Sequence, residues 1–196
     1  MKIRESGMPD EKYWESFFDV QNIFSRLQLD SQVNNIAEFG SGYGTFTIPA
    51  AMTIKGKIYA FDIDEEMISR LKHRINEENL SNVIIQKTDF VSEGTLLHDN
   101  SVDYAMLFNI LHTENPIELL NEAYRILKPG GKAGIIHWIY SSATPRGPSM
   151  DIRPKPDKCI EWMQSTGFKI SGKIISLPPY HYGMVGMKSG YSIQDT

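Results

Sequence analysis

The sequence predicts an α/β protein with a doubly wound, mostly parallel sheet of seven strands that ends in an antiparallel hairpin. From residue 33 onward, short strand-like runs alternate with helix-like runs. This alternation favours parallel strands with helices on both faces of the sheet. The last two strand-like runs are joined only by residues 178–181, a segment too short for a crossover helix. The chain therefore ends in a predicted hairpin.

The strands are predicted from short runs of β-branched and aromatic residues. The parallel strands span 33–39, 57–61, 83–87, 102–108 and 133–139, and the hairpin strands span 168–177 and 182–188. The first four parallel strands each end at a small or polar residue. Functional side chains are expected at these strand ends, because the carboxyl ends of parallel strands meet at one edge of a sheet.

Helices are predicted where apolar residues recur at helical spacing, at 64–79, 115–127 and 157–166. Asp64 and Asn115 stand at the expected N-caps, and Pro116 fits the first helical position. An aromatic helix is predicted over residues 10–27. We expect one domain over residues 1–196, divided into an N-terminal helix or lid (10–30), a core (33–139), a loop (140–156), and a C-terminal helix and hairpin (157–196).

Composition limits the class of protein. The 196 residues are 41% hydrophobic and 22% charged, with a net charge of −4, which is typical of a globular domain and argues against nucleic-acid binding through charge. Cys159 is the single cysteine, so an intrachain disulfide and a cysteine-only metal cluster are excluded, and no metal site is predicted. We see no secretory signal and no apolar run that would cross a membrane. We therefore expect a cytoplasmic protein.

A glycine-rich turn follows the first strand and opens a helix. Gly40, Gly42 and Gly44 let the backbone approach a ligand there, next to the N–H groups of a helix start. A dinucleotide fingerprint requires its third glycine at position 45, which is Thr45. Pyrophosphate binding is therefore disfavoured, although a nicotinamide-dependent oxidoreductase stays an alternative.

The next two strand ends carry acidic residues. Asp62 stands 22 positions after Gly40, where a carboxylate can accept both hydroxyls of a ribose. Asp89 and Phe90 follow the third strand, where they offer an acceptor for an adenine amino group and an apolar ring for its face. Three neighbouring strand ends therefore predict a nucleoside pocket.

Five segments together resemble the class I S-adenosylmethionine-dependent methyltransferases, in the small-molecule group that includes the ubiquinone and menaquinone biosynthesis enzymes. The segments are Glu38-Phe-Gly-Ser-Gly-Tyr-Gly44, Tyr59-Ala-Phe-Asp-Ile-Asp64, Lys87-Thr-Asp-Phe90, Asp103-Tyr-Ala-Met-Leu-Phe-Asn-Ile-Leu-His112 and Arg125-Ile-Leu-Lys-Pro-Gly-Gly131. The resemblance covers residues 33–139. It implies a Rossmann-like fold, S-adenosyl-L-methionine as the cofactor, and methyl transfer to a small molecule by in-line displacement.

The resemblance also implies cofactor-binding roles. Gly40, Ser41 and Gly42 would lie along the methionine moiety, while Glu38 would order the turn or approach the amino group through water. The roles at the other strand ends are ribose binding by Asp62, adenine contacts from Ile63, Asp89 and Phe90, and a backbone contact near the methyl donor from Asn109. A protein that binds the cofactor without transferring the methyl group fits the same residues and stays a further alternative.

The sequence lacks two features of known methyltransferase groups, and this limits the class of methyl acceptor. The fourth strand ends in Asn109-Ile-Leu and lacks the Asn/Asp-Pro-Pro-aromatic signature of the amino methyltransferases that act on nucleobases. No cysteine lies near this strand end, which excludes covalent methylation of pyrimidines at C5, and one cysteine is too few for the arsenite-type enzymes. We therefore expect a small-molecule acceptor, with neither a nucleic acid nor membrane insertion involved; a homodimer is compatible with the sequence.

The acceptor site is expected where other segments cover the strand ends. His112 is the candidate catalytic base, with His137 and His181 as alternatives. The predicted substrate contacts are Tyr13, Trp14 and Phe17 of the aromatic helix, Trp138 and Tyr140 after the fifth strand, and the loop residues Arg146 and Arg153. Either arginine is suited to an anionic acceptor or, equally, to pairing with surface acids.

Overall fold

A computed structural model describes residues 9–170 and 173–190 of the chain. In this part of the chain one sheet of eight strands runs in the order β3-β2-β1-β4-β5-β8-β6, and β7 also pairs with β8. The strands are β1 (Ile36–Phe39), β2 (Ile58–Asp62), β3 (Val83–Lys87), β4 (Val102–Phe108), β5 (Leu127–Trp138), β6 (Lys169–Ile170), β7 (Ile175–Leu177) and β8 (His181–Met187).

The predicted mixture of parallel and antiparallel strands is confirmed. Strands β1 to β5 pair in parallel, with Ile36 of β1 opposite Ile58 of β2 and Tyr104 of β4. Strand β8 is antiparallel to β5 over its whole length, from the pair of Lys132 and Met187 to the pair of Trp138 and His181. The carboxyl ends of β1, β2, β4 and β5 therefore meet at one edge of the sheet.

The predicted strand 168–177 is divided. Strands β6 and β7 are separate short pieces that both pair with β8, on the edge that β5 does not occupy. Residues 171 and 172, inside the predicted strand, lie outside the described residues. The division explains why the sheet has eight strands where the sequence predicts seven.

Six helices accompany the sheet in the described residues: α1 (Glu11–Glu15), α2 (Val20–Arg26), α3 (Thr47–Thr53), α4 (Glu65–Glu77), α5 (Pro116–Ile126) and α6 (Pro156–Ser165). Asp64 caps α4 as predicted, accepting hydrogen bonds from the N–H groups of Glu66 and Met67. Asn115 precedes α5, but its side chain makes no capping hydrogen bond.

The prediction of one N-terminal helix over residues 10–27 is wrong. The Asp19 side chain accepts a hydrogen bond from the N–H of Asn22 and starts a second helix, α2. The N–H groups of Phe17 and Phe18 close a turn between the helices by donating to the carbonyls three residues earlier. This turn brings Phe17 against the Trp138 ring, 5.3 Å between centroids.

Apolar residues fill both faces of the sheet, as a doubly wound fold requires. One cluster packs α5 and α6 against residues such as Phe39 and Met184. The other packs α2 and α3 against residues such as Ile36 and Tyr104. Across the described residues, none of the helices combines the length and apolar character needed to traverse a bilayer.

Candidate active site

A cavity of about 410 Å³ lies at the carboxyl ends of β1, β2, β4 and β5. Its volume is within the range of small-molecule sites. The glycine turn and Asp62 line one part of it, which we call the cofactor end. Trp14, His112, Trp138 and loop residues 145–148 line the part we call the acceptor end.

The glycine turn is fixed against β2. The N–H groups of Gly40 and Ser41 both donate to the Phe61 carbonyl, at 2.9 Å each. Gly44 has a φ of +82°, and a Cβ on it would lie 2.5 Å from Leu71 Cδ1. This conformation and close packing favour glycine at position 44. The turn therefore has a defined shape before any ligand binds.

Asp62 connects the glycine turn to the start of α4. One carboxylate oxygen accepts a hydrogen bond from the N–H of Gly42 at 2.8 Å, and the other accepts from the N–H groups of Ile63 and Asp64 at 2.8 and 3.0 Å. Burial raises the pKa of Asp62, although these three hydrogen bonds oppose the shift. The two oxygens can still accept a further hydrogen bond, which suits the predicted ribose contact.

Glu38 lies beneath the turn and outside the cavity lining. It is 2% exposed, and the Thr47 hydroxyl donates to its carboxyl group at 2.5 Å, joining β1 to α3. Burial raises the pKa of Glu38 to about 8; the Thr47 hydrogen bond opposes this shift and the charge of Asp62 adds to it. Of the two roles implied for Glu38, this geometry supports the ordering of the turn.

Three predicted adenine contacts lie outside the lining of this cavity. Phe90 is a core residue, with its ring 5.5 Å from that of Phe39. Asp89 accepts hydrogen bonds from the N–H groups of Val91 and Ser92 in the turn after β3. Ile63 is half-buried beside Asp62. The adenine-binding role of these residues stays a prediction.

Some of the predicted aromatic residues line the cavity, and others lie outside its lining. Trp14 and Trp138 line the acceptor end, with their rings 6.4 Å apart. Phe17 is buried behind Trp138, and Tyr13, 46% exposed, packs on Phe17 at 4.7 Å. Tyr140 also lies outside the lining. Tyr13, Phe17 and Tyr140 therefore lie outside the lining, Phe17 because the turn after α1 directs it into the core, and their substrate contacts stay predictions.

Three buried histidines surround the acceptor end. His112 lines the cavity, is 9% exposed, and lies 5.6 Å from the His137 ring. Burial, and secondarily the charge of Arg153, lowers the pKa of His112 to about 4 and that of His181 to about 3. Burial likewise moves the pKa of His137 well below its usual value. All three imidazoles are therefore uncharged at neutral pH, which makes His112 a weak base.

Several polar atoms of the lining are buried without a hydrogen-bond partner in the described part of the chain. They are the hydroxyls of Ser41 and Thr45, both amide atoms of Asn109, and Nδ1 of His112. Buried polar groups are usually paired, so a ligand is the natural partner for this set. The sequence did not single out Thr45 or the Asn109 side chain, since no sequence signal distinguishes a hydroxyl or amide that lacks a partner.

The two loop arginines have different surroundings. Arg146 is exposed and lines the cavity, as predicted for a substrate contact. Arg153 is 7% exposed and lies outside the lining. Its guanidinium donates to the carbonyls of Ile139, Ser141 and Pro148 at 2.7–3.1 Å. The donors of Arg153 are therefore occupied by the loop, and its contact with the acceptor stays a prediction.

Comparison with known proteins identifies relatives of the central part of the chain. A family model described as a methyltransferase domain matches residues 36–131, which include the glycine turn, Asp62 and the Asn109 strand end. This part of the chain is therefore similar to methyltransferases. The resemblance derived from the five sequence segments is thereby confirmed.

Curated relatives of the chain include enzymes named for quinone biosynthesis. The ubiquinone/menaquinone biosynthesis C-methyltransferase UbiE of Rickettsia prowazekii is 31% identical over 54% of the chain and 45% of its own length. The 2-methyl-6-phytyl-1,4-hydroquinone methyltransferase of Arabidopsis thaliana is 28% identical over 68% of the chain and 40% of its own length. The chain thus spans about half the length of curated relatives that it matches.

Solved structures support the fold. A SAM-dependent methyltransferase from Aquifex aeolicus superimposes with a TM-score of 0.80 at 24% identity, covering 91% of this chain and 94% of that one. The [4+2]-cyclase SpnF superimposes with a TM-score of 0.74 at 16% identity, covering 96% and 86%. The Rossmann-like methyltransferase architecture is therefore confirmed.

The cavity fits the family's cofactor, S-adenosyl-L-methionine. Asp62 and the backbone of Gly42 provide a polar cradle at the strand ends. The unpartnered atoms of Ser41, Thr45 and Asn109 can satisfy the polar groups of a nucleoside and an amino acid. The described residues therefore supply the donors and acceptors that this cofactor requires.

Proposed function

We propose that the protein transfers a methyl group from S-adenosyl-L-methionine to a small, aromatic, hydroxyl-bearing molecule. The observation that carries the proposal is a single cavity with a polar cradle at Asp62 and an aromatic pocket at Trp14 and Trp138. The cofactor supplies an electrophilic methyl group on a positively charged sulfur atom with a good leaving group. The residues of this chain therefore have to bind the cofactor and the acceptor, align them with each other, and exclude water.

At the cofactor end, we assign the ribose hydroxyls to Asp62 and the methionine moiety to Gly40, Ser41 and Gly42. The turn and Asp62 are already hydrogen-bonded to each other, so binding requires little reorganisation. Asn109 follows β4 with a φ of +55° and lines the cavity. Its amide group, which is buried without a partner, is suited to the methionine end of the cofactor.

At the acceptor end, Trp14 and Trp138 provide apolar surfaces for a planar ring. Uncharged His112 can accept a hydrogen bond from a hydroxyl and thereby orient the acceptor. Fixing a nucleophile in line with the methyl group can lower a barrier by about 7–11 kcal/mol. Alignment therefore supplies the main catalytic effect in this proposal, and His112 acts as a hydrogen-bonding residue more than as a strong base.

The aromatic acceptor class has two supports. The lining of the acceptor end is rich in aromatic and proline side chains, with Arg146 at an exposed position. Curated relatives are named for hydroquinone and menaquinone methylation. A phenolic or hydroquinone ring, with or without an anionic substituent near Arg146, suits this combination.

Cofactor binding is the first test. S-adenosylmethionine and its demethylated product should each raise the thermal midpoint of the protein, whereas NADH should leave it unchanged, because position 45 is threonine. Stabilisation by NADH alone would favour the oxidoreductase alternative. Methyl-labelled S-adenosylmethionine with a panel of phenols and hydroquinones then identifies the acceptor, and binding without transfer to any acceptor would favour a binding protein.

Three finer expectations accompany this proposal. We infer that the acceptor is not a nucleic acid, that the protein works in the cytoplasm, and that it assembles as a homodimer. The net charge of −4 and the single buried cysteine support the first two. Labelled transfer to total RNA would contradict the first, and light scattering measures the assembly directly.

A further inference from the structure

Arg153 is a buried cation that binds a loop. Its Nη1 donates to the carbonyls of Ile139 and Ser141 at 3.1 and 2.9 Å and to the Thr144 hydroxyl at 2.7 Å. Its Nε and Nη2 both donate to the Pro148 carbonyl, at 3.0 and 2.7 Å. In the described part of the chain, this guanidinium donates to neutral oxygen atoms of residues 139–148.

The same segment is packed tightly between Arg153 and the cavity. Gly147 has a φ of +120°. A Cβ on Gly147 would lie 2.6 Å from Arg153 Nη2 and 2.9 Å from Trp138 Cγ. Residues 145–148 line the acceptor end beside Trp138. The guanidinium, the loop and the tryptophan therefore interlock, and displacing one displaces the wall of the cavity.

We propose that Arg153 is a positioning residue for the methyl acceptor: by binding the oxygens of residues 139–148, its guanidinium holds this segment as one wall of the acceptor end. The inference rests on the proposed function for the identity of the ligand. The order of the loop itself does not depend on any ligand. Arg153 therefore acts through residues 145–148 rather than by touching the acceptor.

The chemistry of the guanidinium explains why arginine is required. Its donors lie in a planar fork that reaches several oxygens at fixed angles, whereas a lysine ammonium has three donors at one point. Hydrogen bonds from a charged donor are also stronger than neutral ones. A lysine at position 153 can therefore bind part of this set of oxygens and should restore the wall only partly.

Fluorescence quenching tests the wall without an acceptor. In a Trp162→Phe background, Trp14 and Trp138 are the two remaining tryptophans, and both line the cavity. With S-adenosylmethionine bound, Arg153→Met should raise the acrylamide quenching constant at least twofold, and hydrogen exchange should accelerate in residues 139–148. Gly147→Ala, which leaves the charge in place, should change both readouts in the same direction.

Lys188→Met is the matched control. Lys188 also donates to backbone carbonyls, those of Tyr124 and Arg125 at 2.8 and 3.3 Å, and it lies outside the cavity lining. The Lys188→Met variant should have a lower thermal midpoint, with acrylamide quenching and with hydrogen exchange in residues 139–148 unchanged. If acrylamide quenching and hydrogen exchange in Arg153→Met were the same as in Lys188→Met, the proposal would be overturned.

Kinetics then separate positioning from general stability. With 2-methyl-1,4-hydroquinone as the probe, Arg153→Met should raise the acceptor KM at least tenfold while the Kd for S-adenosylmethionine stays within twofold of wild type. Arg153→Lys should give an intermediate KM, and millimolar guanidinium should partly rescue Arg153→Ala. If Arg153→Met raised the acceptor KM and the Kd for S-adenosylmethionine by the same factor, the positioning role would be overturned. If the wild-type protein does not methylate the probe, the proposed acceptor class fails, and quenching and exchange still decide the role of Arg153.

Discussion

The two ends of the cavity differ in how their backbone is held. At the cofactor end, both oxygens of Asp62 already accept backbone hydrogen bonds, and the glycine turn is bound to the Phe61 carbonyl. At the acceptor end, the Arg153 guanidinium, which lies outside the cavity lining, donates to the carbonyls of Arg146 and Pro148. The cofactor end is thus held by contacts between neighbouring strands, whereas the acceptor end depends on one side chain behind its wall. Both ends leave polar atoms without a partner in the described residues, the hydroxyls of Ser41 and Thr45 at the cofactor end and Nδ1 of His112 at the acceptor end.

The two ends also differ in how they are assembled. The cofactor end is built mainly from residues 38–64, which the chain brings together through two neighbouring parallel strands. The acceptor end takes Trp14, His112, and Trp138 together with Arg146 from three distant parts of the chain. We therefore expect substitutions at the cofactor end to change cofactor affinity and those at the acceptor end to leave it intact.

The largest expected effect is on stability, from Glu38 beneath the cofactor end. Burial raises the pKa of this carboxyl group from 4.5 to about 8, so the folded state keeps a proton that the unfolded chain releases above pH 4.5. The free energy of unfolding should therefore fall as the pH rises from about 5 to 8, by on the order of 3 kcal/mol. Glu38→Gln should remove this dependence, because the amide oxygen still accepts from Thr47 and carries no titrating proton.

Urea denaturation of Glu38→Gln and wild type at pH 5, 6.5 and 8 measures this effect. The free energy of unfolding of Glu38→Gln, relative to that of wild type, should be highest at pH 8. Glu77→Gln, on the exposed side of α4, is the control and should follow wild type. If Glu38→Gln and wild type lose stability in parallel, Glu38 does not hold a proton in the folded state.

Asp62→Ala should weaken S-adenosylmethionine binding at least tenfold, about 1.4 kcal/mol. The variant loses the predicted ribose contact and the acceptor for the N–H groups of Gly42, Ile63 and Asp64. Isothermal titration calorimetry measures the change. Asp103→Ala removes another carboxylate, which accepts from Asn35 and Lys128 at the start of β4, and should keep wild-type affinity. Retained affinity in Asp62→Ala would remove this residue from the site.

The smallest expected effect is at the acceptor end. His112→Phe keeps a ring and removes the imidazole, so the acceptor KM should rise several-fold, about 1 kcal/mol for one hydrogen bond. The Kd for S-adenosylmethionine should stay within twofold. Since the pKa of His112 is about 4, the ratio of variant to wild-type KM should be constant between pH 6 and 8.

His98→Phe changes an exposed histidine outside the cavity lining and should match wild type in both constants. A KM ratio for His112→Phe that rises sharply between pH 6 and 7 would show that His112 titrates in this range. It would then act as a base, as the sequence alone suggested. A loss of cofactor affinity in His112→Phe would instead erase the distinction between the two ends.

The sequence determined the parallel strands, the terminal hairpin, the glycine turn and Asp62. These features depend on local patterns, since strand periodicity and turn glycines are set by neighbouring residues. The position of Asp62 after the next strand followed because neighbouring parallel strands end at one edge. The cofactor end could therefore be located from the chain alone.

Only the tertiary structure decided the acceptor end. Trp14 reached the lining while Phe17 turned into the core, because Asp19 started a second helix. Arg153 lies at the centre of a loop, because carbonyl oxygens of residues 139–148 surround it. The burial and partners of a side chain depend on residues far away in the sequence. For this reason the pattern of residue types identified the candidate residues, and only the tertiary packing showed which of them line the cavity.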